Sequence, residues 1–283
     1  MSKALLAVIV AAGLAGPGLY VATVNGPVDK MWKRLRLLLF YGLGGSALLA
    51  LVAGWMDLET LLVSLVTLVA AFLVAHVFLE TRSRDAAVGL GDEVVRVRVL
   101  KNRGFAAFSF TGTGKIYLSE SLLNVFDPAQ IAAIVMHEKG HSEALRPLTP
   151  QAASTVLILS SVAILLGMIN LVTLGGFIGI VEAVAMFLAE WGFWVTYSWA
   201  WESLADIYSV RRVGAAAISA LANMTNEVPA KPTLKSVYRD FVAALRLRRV
   251  PGGVFLANPH PRPAYRLYVM MRVHAESKQP VLN

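Results

Sequence analysis

Asp127-Pro128 opens a helix whose middle reads His137-Glu138-Lys139-Gly140-His141, and this run decides how the rest of the chain is read. Asp at the N-cap accepts amide hydrogens of the first turn, and Pro at the first helical position has no N–H to lose. The pattern predicts a helix that runs to about Leu145 and stops before Pro147. Histidines at i and i+4 stand one turn apart on one face, so both imidazoles can reach a single Zn2+. Glu138, beside them, can reach the attacking water rather than the metal, which suits a general base in peptide hydrolysis. Gly140 keeps the helix surface low beside the histidines and leaves room for another element.

Around this helix the chain is too apolar for an ordinary soluble domain. Of 283 residues, 57% are hydrophobic and only 16% charged, against about a quarter charged in soluble domains. Mean hydropathy is +0.62. Leu37–Met56 and Thr60–Leu79 contain no Asp, Glu, Lys or Arg, and each is long enough to cross a bilayer as helix. A third charge-free stretch follows Arg146 and continues to Val181. It is too long for one span, and Gly175-Gly176 is a plausible turn between helices near Ala153–Leu174 and Phe177–Trp201. The first segment, Ala4–Val24, is interrupted by Pro17 and Gly18; a retained span fits it better than a signal peptide, whose charged region would be Lys3 alone.

The net charge of +8 follows from topology, because membrane proteins keep Lys and Arg on the cytoplasmic side. No basic stripe interleaved with aromatics points to nucleic acid. Zero cysteines exclude disulfides and thiolate metal sites. The segment 26–36 carries Lys30, Lys33, Arg34 and Arg36, whereas Asp57 and Glu59 flank the next connection, so the former is expected in the cytoplasm. Every longer polar segment then falls on that same side. Glu182 and Glu190 lie within the last hydrophobic hairpin and read as polar contacts inside the bundle, Glu190 with His76 as one candidate partner.

Between the apolar blocks, Val94–Leu100 alternates with period two, a strand pattern. Phe105–Phe110 and Lys115–Leu118 read as two further strands joined through Gly112-Thr113-Gly114. The C-terminal part, 203–283, reads as helical and polar with a loop at Pro251-Gly252-Gly253.

A catalytic zinc needs a third protein ligand and an open position. No histidine follows His141 closely, so a carboxylate from another helix is required. Glu202 and Asp206 offer carboxylates at i and i+4 on one helix face. Glu202 is the expected ligand, and Asp206 is expected to accept the N–H of a ligating imidazole and fix its tautomer. Taken alone, the pair would mark only the end of a membrane span.

With these residues in place, the sequence resembles the HtpX-type membrane zinc endopeptidases, which are related to the CAAX prenyl endopeptidases. The resemblance rests on the Gly-containing His137–His141 motif, on Glu202 with Ala205-Asp206, on Phe108-Ser109-Phe110 ahead of Ile116–Leu123, and on Asn258-Pro259-His260-Pro261-Arg262-Pro263-Ala264-Tyr265-Arg266-Leu267. It implies that His260 and Arg266 approach the active centre and position substrate or stabilise the oxyanion. It also implies that Phe108, Ser109 and Phe110 form an edge that binds peptide by strand addition. The family usually carries Asn before this Ala-Phe; Ala106 or Ala107 stands there here.

The expected architecture is a mainly α membrane protein with a small cytoplasmic α/β peptidase domain of gluzincin type and a short β-sheet. Its segments are 1–80 (about three spans), 81–152 with the histidine helix, a transmembrane hairpin at 153–201, and 202–283 with Glu202 and the His-Pro…Arg segment. One Zn2+ per chain, polypeptide substrates that are misfolded or membrane proteins, and a plasma-membrane location complete the expectation. The rivals are a CAAX-type prenyl-protein endopeptidase, an intramembrane protease and a zinc-stabilised scaffold without activity. Lys139, Glu143 and Arg146 make the histidine helix amphipathic, which places the metal at the surface rather than inside a span.

Overall fold

A computed structural model describes residues 3–53, 58–90, 93–101, 106–110, 115–146, 148–244, 248–249, 255–256 and 260–278. The expected turn at Gly112-Thr113-Gly114, Pro147, the loop Pro251-Gly252-Gly253 and Asn258-Pro259 lie outside the described residues, as does Asp57. The element order is α1 (Lys3–Val24), α2 (Val28–Ala53), α3 (Leu58–Thr81), β1 (Ser83–Leu90), β2 (Glu93–Leu100), β3 (Ala107–Phe110), β4 (Lys115–Ser119), α4 (Glu120–Val125), α5 (Pro128–Leu145) and α6 (Pro150–Leu174). It continues with α7 (Gly176–Val213), α8 (Ala215–Thr225), α9 (Leu234–Ala244), β5 (Arg248–Arg249), β6 (Phe255–Leu256) and α10 (Pro263–Ser277). The chain is mainly helical with one small mixed sheet, and it is a membrane protein. Among the described residues, Ala4–Val24, Val28–Leu51, Thr155–Leu174 and Gly176–Val213 are long and apolar enough to cross a bilayer.

Two compact units form. The first comprises Met1–Thr67, Ala153–Trp201 and Pro232–Pro261. Small residues set its helix spacing, as van der Waals packing between membrane helices requires. A Cβ on Gly13 would lie 2.6 Å from the Ala189 carbonyl oxygen, and one on Gly42 would lie 2.6 Å from that of Phe193. Leu6, Ile9, Leu49, Met186 and Phe193 fill the core between these helices. Pro17 does not break α1, which continues through it to Val24. Glu190 Oε1 accepts hydrogen bonds from Ser46 Oγ and Ser161 Oγ, both at 2.8 Å.

The segment 232–261, read from sequence as part of the polar C-terminal region, groups with these apolar helices instead. In α9 it buries Val237 and Phe241 while leaving Lys235 and Arg239 exposed. The Tyr238 hydroxyl donates to the Leu14 carbonyl at 2.7 Å, and Trp191 Nε1 donates to the Phe241 carbonyl at 3.4 Å.

The second unit comprises Leu68–Ala152, Glu202–Lys231 and Arg262–Asn283. Its sheet has the order β1-β2-β4-β3, so β3 is an edge strand. β1 and β3 pair antiparallel with their neighbours, while β2 and β4 run parallel, with Arg98 opposite Tyr117. Alternation in β2 works as the pattern requires: Val97 and Val99 are buried, and Arg98 turns to the other face. There its guanidinium meets Glu80 at 3.1 Å and Asp85 at 2.7 Å.

Helix α5 begins as the Asp127-Pro128 pair dictates. The Asp127 side chain accepts from the Gln130 amide at 2.8 Å, and Gln130 returns the contact to complete a capping box. Lys139 pairs with Glu93, and Arg146 pairs with Glu143 at 3.1 Å. The opposite face is buried and is held to the C-terminal part of α7 by the Ser209 hydroxyl, which donates to the Ala133 carbonyl at 2.7 Å. The element for which Gly140 leaves room is α7. A Cβ on Gly140 would lie 2.8 Å from Ala205 Cα and 3.0 Å from both the Ala205 oxygen and Tyr208 Cβ.

Two of those three neighbours are backbone atoms, so nothing can swing aside. Gly140→Ala is therefore expected to force α5 and α7 apart and to destabilise the chain by about 1–3 kcal/mol, the usual cost of overpacking. A lower thermal midpoint in detergent, together with reduced zinc content after dialysis, checks this. An unchanged midpoint would show that the helices have slack at this point.

Candidate metal centre

Three elements of the second unit build the site. Helix α5 supplies His137, Glu138 and His141, α7 supplies Glu202 and Asp206, and α10 supplies Arg266. Because Gly140 and Ala205 let the first two helices touch, side chains far apart in sequence converge. His137 Nε2 lies 3.5 Å from Glu202 Oε2, and His141 Nε2 lies 3.6 Å from Glu202 Oε1. Donor atoms of these three residues all fall within 4.8 Å of one another, so the group could hold a metal ion.

The fit to zinc can be tested on these distances. Tetrahedral Zn2+ with nitrogen and oxygen ligands at about 2.0–2.2 Å has ligand-to-ligand edges of about 3.3–3.6 Å. The two distances fall in this range, one to each oxygen of the Glu202 carboxylate. Charge points the same way. Glu138, Glu202 and Asp206 are 6%, 6% and 1% exposed, and Arg266 pairs with Glu202 and Asp206. Buried carboxylates in this excess call for a cation. The residues present fit the metal.

Asp206 organises the surroundings. Its Oδ1 lies 2.9 Å from His137 Nδ1, which leaves Nε2 directed at the Glu202 carboxylate. Arg266 closes the arrangement: its Nε and one terminal nitrogen donate to the two Asp206 oxygens at 2.7 and 2.8 Å. Its other terminal nitrogen is 3.0 Å from Glu202 Oε2. A planar guanidinium thus fixes two carboxylates at once, which a lysine could not do.

Protonation follows from these contacts. Burial depresses the His137 imidazole, but the Asp206 hydrogen bond and charge, with Glu202, outweigh it and raise the pKa to about 10. His141 is dominated by burial, which lowers it to about 3. Burial also pushes the Glu138 carboxyl above its ordinary range, against the His137 charge and the Ser109 backbone amide.

His137, Glu138, His141, Glu202, Asp206 and Arg266 are thus brought together. Ser109 adds its backbone to Glu138, and Phe108 stacks on Tyr117 at 5.3 Å between ring centres. Phe110 closes β3 opposite Lys115. His260 groups with the first unit, where it lines a cavity with residues of α6 and α7. The contact of Arg266 with Glu202 is the feature that sequence reasoning missed. No spacing rule links an arginine on α10 to a ligand on α7.

If Asp206 orients His137, Asp206→Asn is expected to weaken zinc binding by about 10–100-fold, as loss of such outer partners does. Competition with a chelator of known affinity measures it. Unaltered affinity would mean that the ring is held by packing alone.

Comparison with known proteins adds one finding to this geometry. No curated protein and no solved structure matches the chain. The model of Peptidase family M48 matches residues 76–272. That range takes in the sheet, both histidines, Glu202, Asp206 and Arg266, and covers well over half of the sequence. The chain belongs to peptidase family M48.

Proposed function

We propose that this metallopeptidase is a membrane-bound zinc endopeptidase of the HtpX-like kind. It would cleave internal peptide bonds of misfolded or membrane proteins in quality control. The observation that carries the reading is the convergence of His137 Nε2 and His141 Nε2 on the Glu202 carboxylate at 3.5 and 3.6 Å, with Glu138 buried beside them. His137, His141 and Glu202 would hold one zinc ion per chain. Bound there, zinc supplies the Lewis acidity that peptide hydrolysis needs.

The chain's own groups do the rest. Glu138, pushed upward by burial, is suited to accept a proton from the attacking water and to deliver it to the leaving amine. Arg266 and His260 are the candidate donors toward developing negative charge. For Arg266 the contacts favour a positioning share in the work, since its nitrogens already hold Asp206 and Glu202. Among the described residues β3 has no strand on its outer side, and its Ser109 backbone lies beside Glu138, which supports its use as the edge to which an extended substrate adds. Backbone pairing of this kind does not need the Asn that Ala106 or Ala107 replaces. Lys30, Lys33, Arg34 and Arg36 support a cytoplasmic side for the segment between α1 and α2, and with it an active site facing the cytoplasm of a plasma-membrane protein.

Glu138→Gln separates an enzyme from a zinc-stabilised scaffold. The variant is expected to keep its zinc while kcat/KM on an unfolded protein such as casein drops by about 100- to 10,000-fold. The acid limb of the wild-type pH profile is expected above the ordinary glutamate value of 4.5, because the folded-state pKa is raised. Purified wild-type protein that holds zinc yet never cleaves casein would sink the endopeptidase reading.

A further inference from the structure

A groove of about 370 Å3 runs between α1 and α2, and the peptidase reading does not use it. Helix α2 contributes Arg34, Leu37, Leu38 and Tyr41, and α1 contributes Leu19, Ala22 and Thr23. Each set follows the i, i+3, i+4 spacing of a single helix face, so the groove lies lengthwise between two helices able to span a bilayer. Its contents are ordered along that axis. Arg34 stands toward the end where α1 gives way to α2, and Tyr41 stands about 10 Å deeper at 1.5 Å per residue. Between them the walls are mostly hydrocarbon, and they open sideways: Leu19 is 42% and Leu37 62% exposed. At the deep end the Tyr41 hydroxyl already donates to the Ala12 carbonyl and asks nothing of a ligand.

The shallow end carries charge. Arg34 is exposed, and among the described residues no carboxylate pairs with it or with Lys30 and Lys33 of the preceding turn. Gly26 makes room for its guanidinium. A Cβ there would lie 2.8 Å from Arg34 Nη1 and 3.1 Å from the Ala22 carbonyl oxygen, so the cation rests against bare backbone at the end of α1. A guanidinium is always charged, and its fork of donors matches phosphate. The groove thus offers a permanent cation at its rim and hydrocarbon beneath, with bilayer lipid as the surrounding medium. We propose that it binds one anionic phospholipid, the phosphate on Arg34 and the upper part of one acyl chain between Leu19 and Leu37. The segment 28–36 sets four cations against Asp29 alone, which favours a lipid of net negative charge over a zwitterionic one.

The test uses the full chain purified in detergent and phosphatidylglycerol bearing a diazirine near the ester end of one acyl chain. After irradiation and digestion, label is expected to concentrate in 19–23 and 34–41 and to saturate. Unlabelled phosphatidylglycerol is expected to displace it about tenfold better than phosphatidylcholine of the same chains, the magnitude of one contact to a charged group. Label at the exposed Leu165 and Ile169 of α6 is expected to respond to neither. In Arg34→Gln the preference for phosphatidylglycerol is expected to shrink to roughly twofold, since the charged contact is gone. Ala22→Phe, which fills the groove, is expected to abolish the label there.

Equal displacement by the two lipids in the wild-type chain, or label that rises in step with Leu165 without saturating, would reduce the groove to ordinary bilayer contact and overturn the proposal. Displacement by glycerol phosphate as effective as by the lipid would mark an ion site that takes no chain. Preferential capture of diazirine-labelled palmitate would mark a carboxylate site. Either result overturns the choice of ligand. Because displacement is read in the wild-type chain, the outcome does not depend on either variant folding.

Discussion

The close approach of α5 to α7 is the constraint on which the centre depends. Gly140 has no Cβ because one would meet the Ala205 backbone at 2.8–3.0 Å, and Ala205 in turn carries only a methyl group. At that spacing a histidine from one helix and a carboxylate from the other can come within 3.5 Å without either side chain leaving its rotamer range. The Ser209 bond to the Ala133 carbonyl crosses the same seam, and Gln130 of α5 bonds Ser219 of the neighbouring α8. The small residues inside the motif and beside Asp206 thus set the spacing at which His137, His141 and Glu202 meet.

Negative charge is the second constraint. Three carboxylates are buried together, and each would be expelled or protonated if it stood alone in so dry a place. Arg266 meets two of them through three short contacts. Burial raises the Glu138 pKa, whereas Asp206 and Glu202 hold the His137 proton against the opposing effect of burial. A divalent cation relieves the same excess while taking imidazoles as neutral ligands. Affinity for metal and an activated Glu138 therefore come from the same burial.

Much of this was legible in the sequence, and the legible parts share a feature: they are local. The cap at Asp127, the alternation of Val94–Leu100, the break at Gly175-Gly176 and the i, i+4 pairs His137/His141 and Glu202/Asp206 each depend on a few neighbouring residues. What stayed hidden is non-local or masked by composition. β1 escaped notice because Ser83-Arg84-Asp85 reads as polar linker, although its backbone pairs with β2 along its whole length. α9 looked like peptidase-domain surface because Lys235, Arg239 and Asp240 dominate its composition, while Val237 and Phe241 decide where it packs. The grip of Arg266 on Glu202 depends on the fold as a whole.

Helix α7 carries acidic residues in two different surroundings. At 1.5 Å per residue, Glu202 lies about 39 Å along the helix from Gly176, whereas a hydrocarbon core is about 30 Å thick. A span that begins near Gly176 is therefore complete before the helix reaches Glu202, and the later residues Asp206, Arg211 and Arg212 are charged as the exit from lipid requires. Glu190, at about 21 Å by the same rise, would lie within the core, where Ser46 and Ser161 both donate to its Oε1. One unbroken helix thus assigns two glutamates to different solvents. Glu190 takes hydroxyl donors on one oxygen within the apolar helices, and Glu202 meets histidines and an arginine.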